Sequence, residues 1–325
     1  MFKNKNVLIT GGLGFTGSNL AIRLVGLGAR VTLVDAMLPD YGGNLFNIGP
    51  IKDKVRVNFS DIRDVNAMNL LAADVDYVFH LAGQVCHVMS LNDPFPDIDI
   101  NIKGTTVVME ALRKHNPTAK VIYTGTRGEY GSVTKLPVDE EAPTNPKGIY
   151  EISNLTAEKI VKAYNDTHGI PGVMLRITNT YGPRGQMKHS RFGVVNWFVR
   201  LALSGEPITV FGDGSMIRDF LYIEDCVDAI LAAATAPGAV GEVFNVGVDS
   251  PTTIRQLCEA IAEITGAELI FVPPTPDRAA LEPGHFYSDI SKIRRIVGWQ
   301  PETGIMEGLE KTVDFYRKYH THYWE

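Results

Sequence analysis

The segment Thr10-Gly11-Gly12-Leu13-Gly14-Phe15-Thr16-Gly17 constrains this chain more than any other. It follows a short β-branched run, Val7–Thr10, and opens Ser18–Leu27, where apolar residues recur three and four apart, so it lies at a strand-to-helix turn. Counted from Gly11 the spacing is G-x-x-G-x-x-G, and from Gly12 it is G-x-G-x-x-G. Glycine is required where the turn is tight and where backbone must approach a pyrophosphate, whose charge then meets the helix N-terminus. A second run, Val31–Val34, ends in Asp35, eighteen residues after Gly17. A carboxylate there accepts hydrogen bonds from an adenosine ribose and repels a 2′-phosphate, and no arginine follows it directly. The pattern predicts a dinucleotide site that takes NAD and not NADP, with Gly11, Gly14, Phe15, Thr16, Gly17 and Asp35 in contact with it.

The same alternation continues through Val55–Phe59, Tyr77–His80, Val121–Tyr123 and Val173–Arg176, with the amphipathic stretches Thr105–His115 and Asn154–Tyr164 between them. In the last stretch Leu155, Ile160, Val161 and Tyr164 form the expected buried stripe. This is the signature of an α/β fold, a Rossmann-type doubly wound parallel sheet. After Tyr181-Gly182-Pro183 loops lengthen and prolines punctuate shorter elements, which predicts a smaller C-terminal lobe. The expected division is a dinucleotide domain of residues 1–180, to which 225–250 returns, and a lobe built from 181–224 and 251–325.

Composition narrows the function. The net charge is −6 and no basic run occurs, so the electrostatic footprint of a nucleic-acid binder is missing and no nucleic-acid partner is expected. Cys86, Cys226 and Cys258 are odd in number and widely spaced, and no C-x-x-C pair suggests zinc, which predicts a reducing, cytoplasmic setting without a metal site. The apolar run at Val7–Ile9 is too short for a signal peptide or a membrane span, so no membrane partner is expected.

Further motifs join the glycine loop: Asp61-Ile62, His80-Leu81-Ala82-Gly83, Asn101, Tyr150, and Arg176-Ile177-Thr178-Asn179-Thr180-Tyr181-Gly182-Pro183. Downstream lie Phe211-Gly212-Asp213-Gly214, Arg218-Asp219-Phe220, Tyr222-Ile223-Glu224-Asp225, Ser288-Asp289-Ile290-Ser291-Lys292 and Gly298-Trp299-Gln300-Pro301. Together they resemble, nearly end to end, the extended short-chain dehydrogenase/reductase family, and within it the NAD-dependent nucleotide-sugar epimerases and dehydratases. The resemblance implies that Asp61 and Ile62 hold the adenine and that Leu81, Ala82, Gly83, Asn101, Thr124 and Ile177 line the dinucleotide. It also implies a nucleotide-diphosphate sugar as partner, with Asn179, Asn196 and Arg218 facing it, and a homodimer formed through the Thr105 and Asn154 helices. Arg218 has a plainer alternative, a surface ion pair with Asp219 or Glu224. Arg278 lies near the family's second phosphate arginine, although Glu282 aligns there more naturally.

The resemblance further implies a catalytic set: a Ser/Thr and a Tyr that share the proton of the oxidised hydroxyl, and a Lys four residues after the Tyr. Thr126 and Tyr150 occupy the first two places, but Asn154 stands in the third. A free phenol has a pKa near 10, and bringing it to about 7 takes roughly 4 kcal/mol of preferential phenolate stabilisation. Asn154 cannot supply that charge, although its amide can donate to ribose hydroxyls. Arg127 would help if it points inward. Lys159, five residues along the helix, faces away from Asn154. Three readings follow: a variant running at higher pH or with another base, a subfamily whose chemistry has moved, or an engineered, weakened enzyme.

Dehydratases of the family place Asp-Glu directly after the catalytic Thr, whereas Arg127-Gly128 stand here. This favours oxidation and hydride return to the opposite face, a 4-epimerisation in which NAD is regenerated. A 2-epimerase of the tyvelose type, to which Gln84 and Trp197-Phe198 bear likeness, is the nearest alternative. Another sugar-nucleotide oxidoreductase or decarboxylase stands further back, as does a binding protein without turnover. His87 or Cys86, in the loop after the fourth strand, offers an extra proton-transfer group next to the oxidised carbon, the alternative being a structural role. Glu129 and Glu151 lie near the same segments without an assigned role.

Overall fold

The computed structural model describes residues 1–39, 41–273 and 284–324. Seven parallel strands form the central sheet in the order β11-β6-β5-β4-β1-β2-β3. They are β1 (Asn6–Thr10), β2 (Arg30–Val34), β3 (Val55–Asn58), β4 (Tyr77–His80), β5 (Lys120–Thr126), β6 (Gly172–Ile177) and β11 (Val243–Val246). The strand order reverses beside β1, between β4 on one side and β2 on the other, and the carboxyl ends around that switch point are where an open α/β sheet makes its ligand crevice. Val243–Val246 returns to the sheet at its edge, paired with Met174–Ile177.

Helices α1 (Phe15–Gly26), α4 (Thr105–His115), α5 (Ile149–His168) and α7 (Ile223–Thr235) cover the sheet. One face carries the larger core, with Ile9, Leu20, Phe79 and Ile230, and the other carries Leu8, Val78, Leu112 and Val161, all close to fully buried. The inner strands β1, β4, β5 and β6 carry apolar runs such as Val7–Ile9 and Val173–Leu175 because both faces are covered. The expected strands and helices are present, most within a residue of their predicted ends; β5 runs three residues past Tyr123, α1 begins three residues before Ser18, and α5 is longer at both ends, Ile149–His168.

One helix face differs from expectation. The buried residues of α5 are Ser153, Asn154, Ala157, Glu158 and Val161, whereas Leu155, Ile160 and Tyr164 are only partly buried. Polar side chains win the inward face because they meet polar partners there. Arg176 on β6 makes two 2.8 Å bonds to Glu158, and Asn101 donates to Ser153 at 2.9 Å.

Three two-stranded sheets stand beside the main sheet. They pair β7 (Asn179–Tyr181) with β10 (Phe220–Tyr222), β9 (Ile217–Arg218) with β12 (Thr252–Thr253), and β8 (Ile208–Phe211) with β13 (Leu269–Val272). Helices α6 (Val194–Leu203), α8 (Ile254–Thr265) and Ile305–Tyr319 pack with them. Among the described residues no helix is long and apolar enough to cross a membrane.

Candidate active site

A cavity of about 670 Å³ opens at the carboxyl ends of the strands. Gly11, Gly14, Phe15, Thr16 and Gly17 form one wall, followed by Asp35, Asp61, Ile62, Leu81, Ala82 and Gly83. The loop is shaped by close approach. Gly11 adopts φ +68°, and a Cβ there would stand 2.9 Å from the Ala82 nitrogen, while a Cβ on Gly17 would stand 2.2 Å from the Gly11 carbonyl oxygen. Asp35 accepts from the Leu13 N–H at 3.0 Å and from the Met37 N–H at 2.9 Å, so the same carboxylate that would meet a ribose also fixes the glycine loop. Burial raises its pKa and the two backbone donors oppose that. Asp61 takes both its oxygens to Arg63, at 2.9 and 2.6 Å. The free N–H groups of the first turn of α1, beside the bare backbone of Gly11, Gly14 and Gly17, fit the pyrophosphate of a dinucleotide.

A buried histidine fixes the wall opposite. Thr10 Oγ1 accepts from the N–H groups of Leu81 and Ala82, both at 3.1 Å, so its own proton goes to His80 Nδ1 at 2.8 Å. His80 Nε2 then carries the hydrogen and donates to Thr105 Oγ1 at 2.9 Å. Burial lowers the His80 pKa to about 4, so the ring is neutral.

The other end of the cavity is lined by Thr126, Arg127, Gly128, Tyr150, Ile177, Asn179 and residues 192–196. Thr126 and Tyr150 come from β5 and α5, and both line the cavity, where the Thr126 side chain acts on the Tyr150 phenol. Burial pushes the Tyr150 phenol above its ordinary value, with Thr126 pulling the other way and the nearby carboxylate of Glu151 adding to the rise. Asn154 lies in a smaller adjoining recess with Asn101, Thr124 and Gln84. Its side chain donates to the Tyr150 carbonyl at 2.8 Å and accepts from the Tyr123 hydroxyl at 3.3 Å, which leaves one amide hydrogen for a ribose hydroxyl. Lys159 is exposed and lies 3.4 Å from Glu158, whereas Asn154 is buried.

Several predicted ligands have other work. Gln84 is buried, and its amide donates to the Cys86 carbonyl at 3.0 Å and to Asp97 at 3.0 Å while accepting from the Cys86 N–H. Its side chain builds the loop after β4 and is not offered to a substrate. Asn101 holds the same loop through the Gln84 N–H at 2.8 Å and ties it to Ser153 of α5, so it supports the dinucleotide wall from behind. Asn196 clamps Gly182, accepting from its N–H at 3.1 Å and donating to its carbonyl at 3.0 Å. Arg218 donates to the carbonyls of Ile217 and Gly284 at 2.7 and 2.6 Å and lines neither cavity. Arg127 lines the cavity but its guanidinium lies 4.9 Å from the centre of the Phe286 ring, and its charge acts on Asp219. Cys86 is buried and its sulfur caps the short helix α3 (His87–Asn92), accepting from Met89. Arg278 and Glu282 lie outside the described residues.

Sequence reasoning gave no role to Glu151 or Glu129. Glu151 Oε1 is 2.6 Å from His87 Nδ1, a pair that only the fold brings together, 64 positions apart. Glu129 accepts from the Thr126 N–H at 3.0 Å and lies 3.2 Å from Arg176. Burial raises Glu129 well above the usual carboxylate range and Glu158 adds to it. Burial works against Glu158 as well, but the Arg176 hydrogen bonds prevail and hold it low.

Comparison with known proteins agrees with this geometry. The family model described as the NAD dependent epimerase/dehydratase family matches residues 7–247. A UDP-glucose 4-epimerase of Mycolicibacterium smegmatis is 34% identical over 318 residues, covering 95% of this chain and 98% of that one. The crystal structure of a Thermotoga maritima UDP-glucose 4-epimerase with UDP-glucose superimposes with a TM-score of 0.88 at 32% identity, over 97% of this chain and 99% of the other. A Thermus thermophilus UDP-glucose 4-epimerase in complex with NAD gives 0.85 at 30% identity, over 96% and 99%. NAD is therefore the cofactor, and the glycine wall with Asp35 is where this chain would hold it. The chain belongs to the NAD-dependent epimerase/dehydratase family.

Proposed function

We propose that the chain is a nucleotide-sugar 4-epimerase, acting on a sugar joined to a nucleoside diphosphate. When bound, NAD supplies reversible hydride transfer at one sugar carbon. Thr126 and Tyr150 manage the accompanying proton: the sugar hydroxyl gives it to the ionised Tyr150 oxygen on oxidation, forming the neutral phenol, and recovers it on return, with Thr126 keeping the phenol in place. Burial keeps the phenol protonated, which suits the returning step and makes the first step rise with pH.

The observation that carries the reading is the pair that follows Thr126. Arg127 lies over Phe286 and Gly128 has no side chain, so the positions at which dehydratases carry an acid and a base supply neither. Incubation with NAD and UDP-, dTDP-, GDP- or CDP-glucose, followed by NMR of the sugar, is expected to give interconversion of the C4 epimers. A 4-keto-6-deoxy product would overturn the reading.

A second reading draws on Asn154, whose side chain is already bonded to Tyr123 and to the Tyr150 carbonyl. On that reading the chain keeps NAD and a sugar nucleotide without turnover. Bound ligands with no isomer formed would favour it.

A further inference from the structure

The cavity carries an acid–base pair that the proton transfer at Tyr150 does not use. His87 opens α3 and Glu151 follows Tyr150 on α5, and both line the cavity beside Gly128. Their contact is 2.6 Å, from His87 Nδ1 to Glu151 Oε1. With Nδ1 committed, Nε2 is the nitrogen left to exchange protons, and it makes no hydrogen bond among the described residues.

The pair is built in and not adventitious. A Cβ on Gly148 would stand 2.3 Å from Glu151 Oε2 and 3.2 Å from His87 Cε1, so glycine there leaves room for both. The loop carrying His87 is pinned by the bonds of Gln84 to Cys86 and Asp97. Glu151 Oε2 is buried without a hydrogen-bond partner. Two anionic groups act on the imidazole, Glu151 through the hydrogen bond and Asp97 through space, and both make it hold its proton more firmly, against burial. Burial also raises Asp97, to about 6.

A histidine held by a carboxylate through Nδ1 is an oriented general base. A ketone acidifies the C–H bonds on its neighbouring carbons, because the electron pair left behind spreads onto the ketone oxygen. We propose that His87, held by Glu151, transfers protons to and from the carbon next to the ketone of a bound keto-sugar nucleotide. In that step Nε2 takes the proton, the C–H pair becomes the C=C bond of an enolate, and the carbonyl π pair moves onto the oxygen, near the hydroxyls of Thr126 and Tyr150. Return of a proton from Nε2 to the carbon reverses it, and no oxidant or reductant is needed. His87 is here a catalytic residue and Glu151 a positioning residue. The proposal rests on the reading of the cavity as a sugar-nucleotide site with Thr126 and Tyr150 around the oxidised carbon.

The experiment supplies the ketone ready-made. The NAD-bound protein is incubated in D2O with UDP- or dTDP-4-keto-6-deoxyglucose, and deuterium is followed by mass and by proton NMR. Uptake is expected at a carbon adjacent to the ketone, at least tenfold slower in His87→Gln, with NAD affinity unchanged as the control for folding. In Glu151→Gln the pH dependence of exchange is expected to move to lower pH, since the group that raises the His87 pKa is lost, an effect a merely structural glutamate would not produce. Absence of uptake with both probes, or uptake equally fast in His87→Gln, overturns the proposal. Interconversion of the C4 epimers of UDP-glucose is measured separately. Its absence with exchange intact removes only the epimerase reading, and its presence without exchange removes only this one.

Discussion

At the scale of single residues the decisive position is 154. A lysine there would place a cation beside Tyr150, whereas the asparagine amide bonds to the Tyr150 carbonyl and the Tyr123 hydroxyl. Asn154→Lys should be tolerated, because the Tyr123 hydroxyl also bonds the backbone carbonyl of residue 154 at 3.1 Å, and the loss of the two neutral side-chain hydrogen bonds costs about 1–2 kcal/mol. If Tyr150 is the base, turnover near neutral pH rises about tenfold for each unit by which the phenol pKa falls, and the acid limb of the pH–rate profile moves to lower pH. An unchanged profile would mean that another group is the base. Asp35 makes a second prediction. Asp35→Ala removes the acceptor for the Leu13 and Met37 N–H groups and for the ribose, so NAD binding should weaken by about 10- to 100-fold and discrimination against NADP should shrink, read by fluorescence titration. His80 makes a third. Its pKa is near 4 folded and 6.5 unfolded, so its contribution is complete above pH 6.5 and is lost as the pH falls toward 4. The loss is about 3 kcal/mol by linkage, visible as a falling urea midpoint over that window and absent in His80→Asn.

At the scale of elements, α1 shows how one helix serves binding at one end and only packing at the other. Gly17 lies where a Cβ would meet the Gly11 carbonyl at 2.2 Å, while at Gly26 nothing lies within 4 Å. Gly17→Ala should therefore push the helix off the loop and abolish NAD binding, whereas Gly26→Ala should raise stability by about 0.5–1 kcal/mol through helix propensity. Thermal melts with and without NAD check both. Helix α5 shows the limit of pattern reading. Its apolar period was legible, but its buried face is largely polar because Arg176, Asn101 and Tyr123 wait for it on neighbouring elements.

At the scale of the whole molecule, Glu129, Arg176 and Glu158 join the end of β5, β6 and α5 beneath the active site, all of them nearly inaccessible to water. Two carboxylates against one guanidinium leave one excess charge, which burial removes by keeping Glu129 protonated. Glu129→Gln keeps the shape and the neutral state, so it should change stability by no more than about 1 kcal/mol. Arg176→Met strands the Glu158 charge and should cost about 3–5 kcal/mol, measured by urea denaturation.

The sequence alone made the strands, the glycine loop and, through Asp35, an expectation of NAD legible, while the family resemblance supplied the pairing of Thr126 with Tyr150. These depend on local rules: apolar period, glycine at close approaches, and motifs that lie within one strand–turn–helix unit. The tertiary structure decided the rest. Gln84, Asn101, Asn196 and Arg218 carry the polar atoms a ligand would want, and only the fold shows those atoms bonded to backbone and side chains of other segments. The same holds in reverse for His87 and Glu151, whose partnership exists because α3 and α5 start at the same rim of the cavity. A side chain's residue type fixes what it can donate or accept, and its neighbours in space decide whether that capacity is already spent.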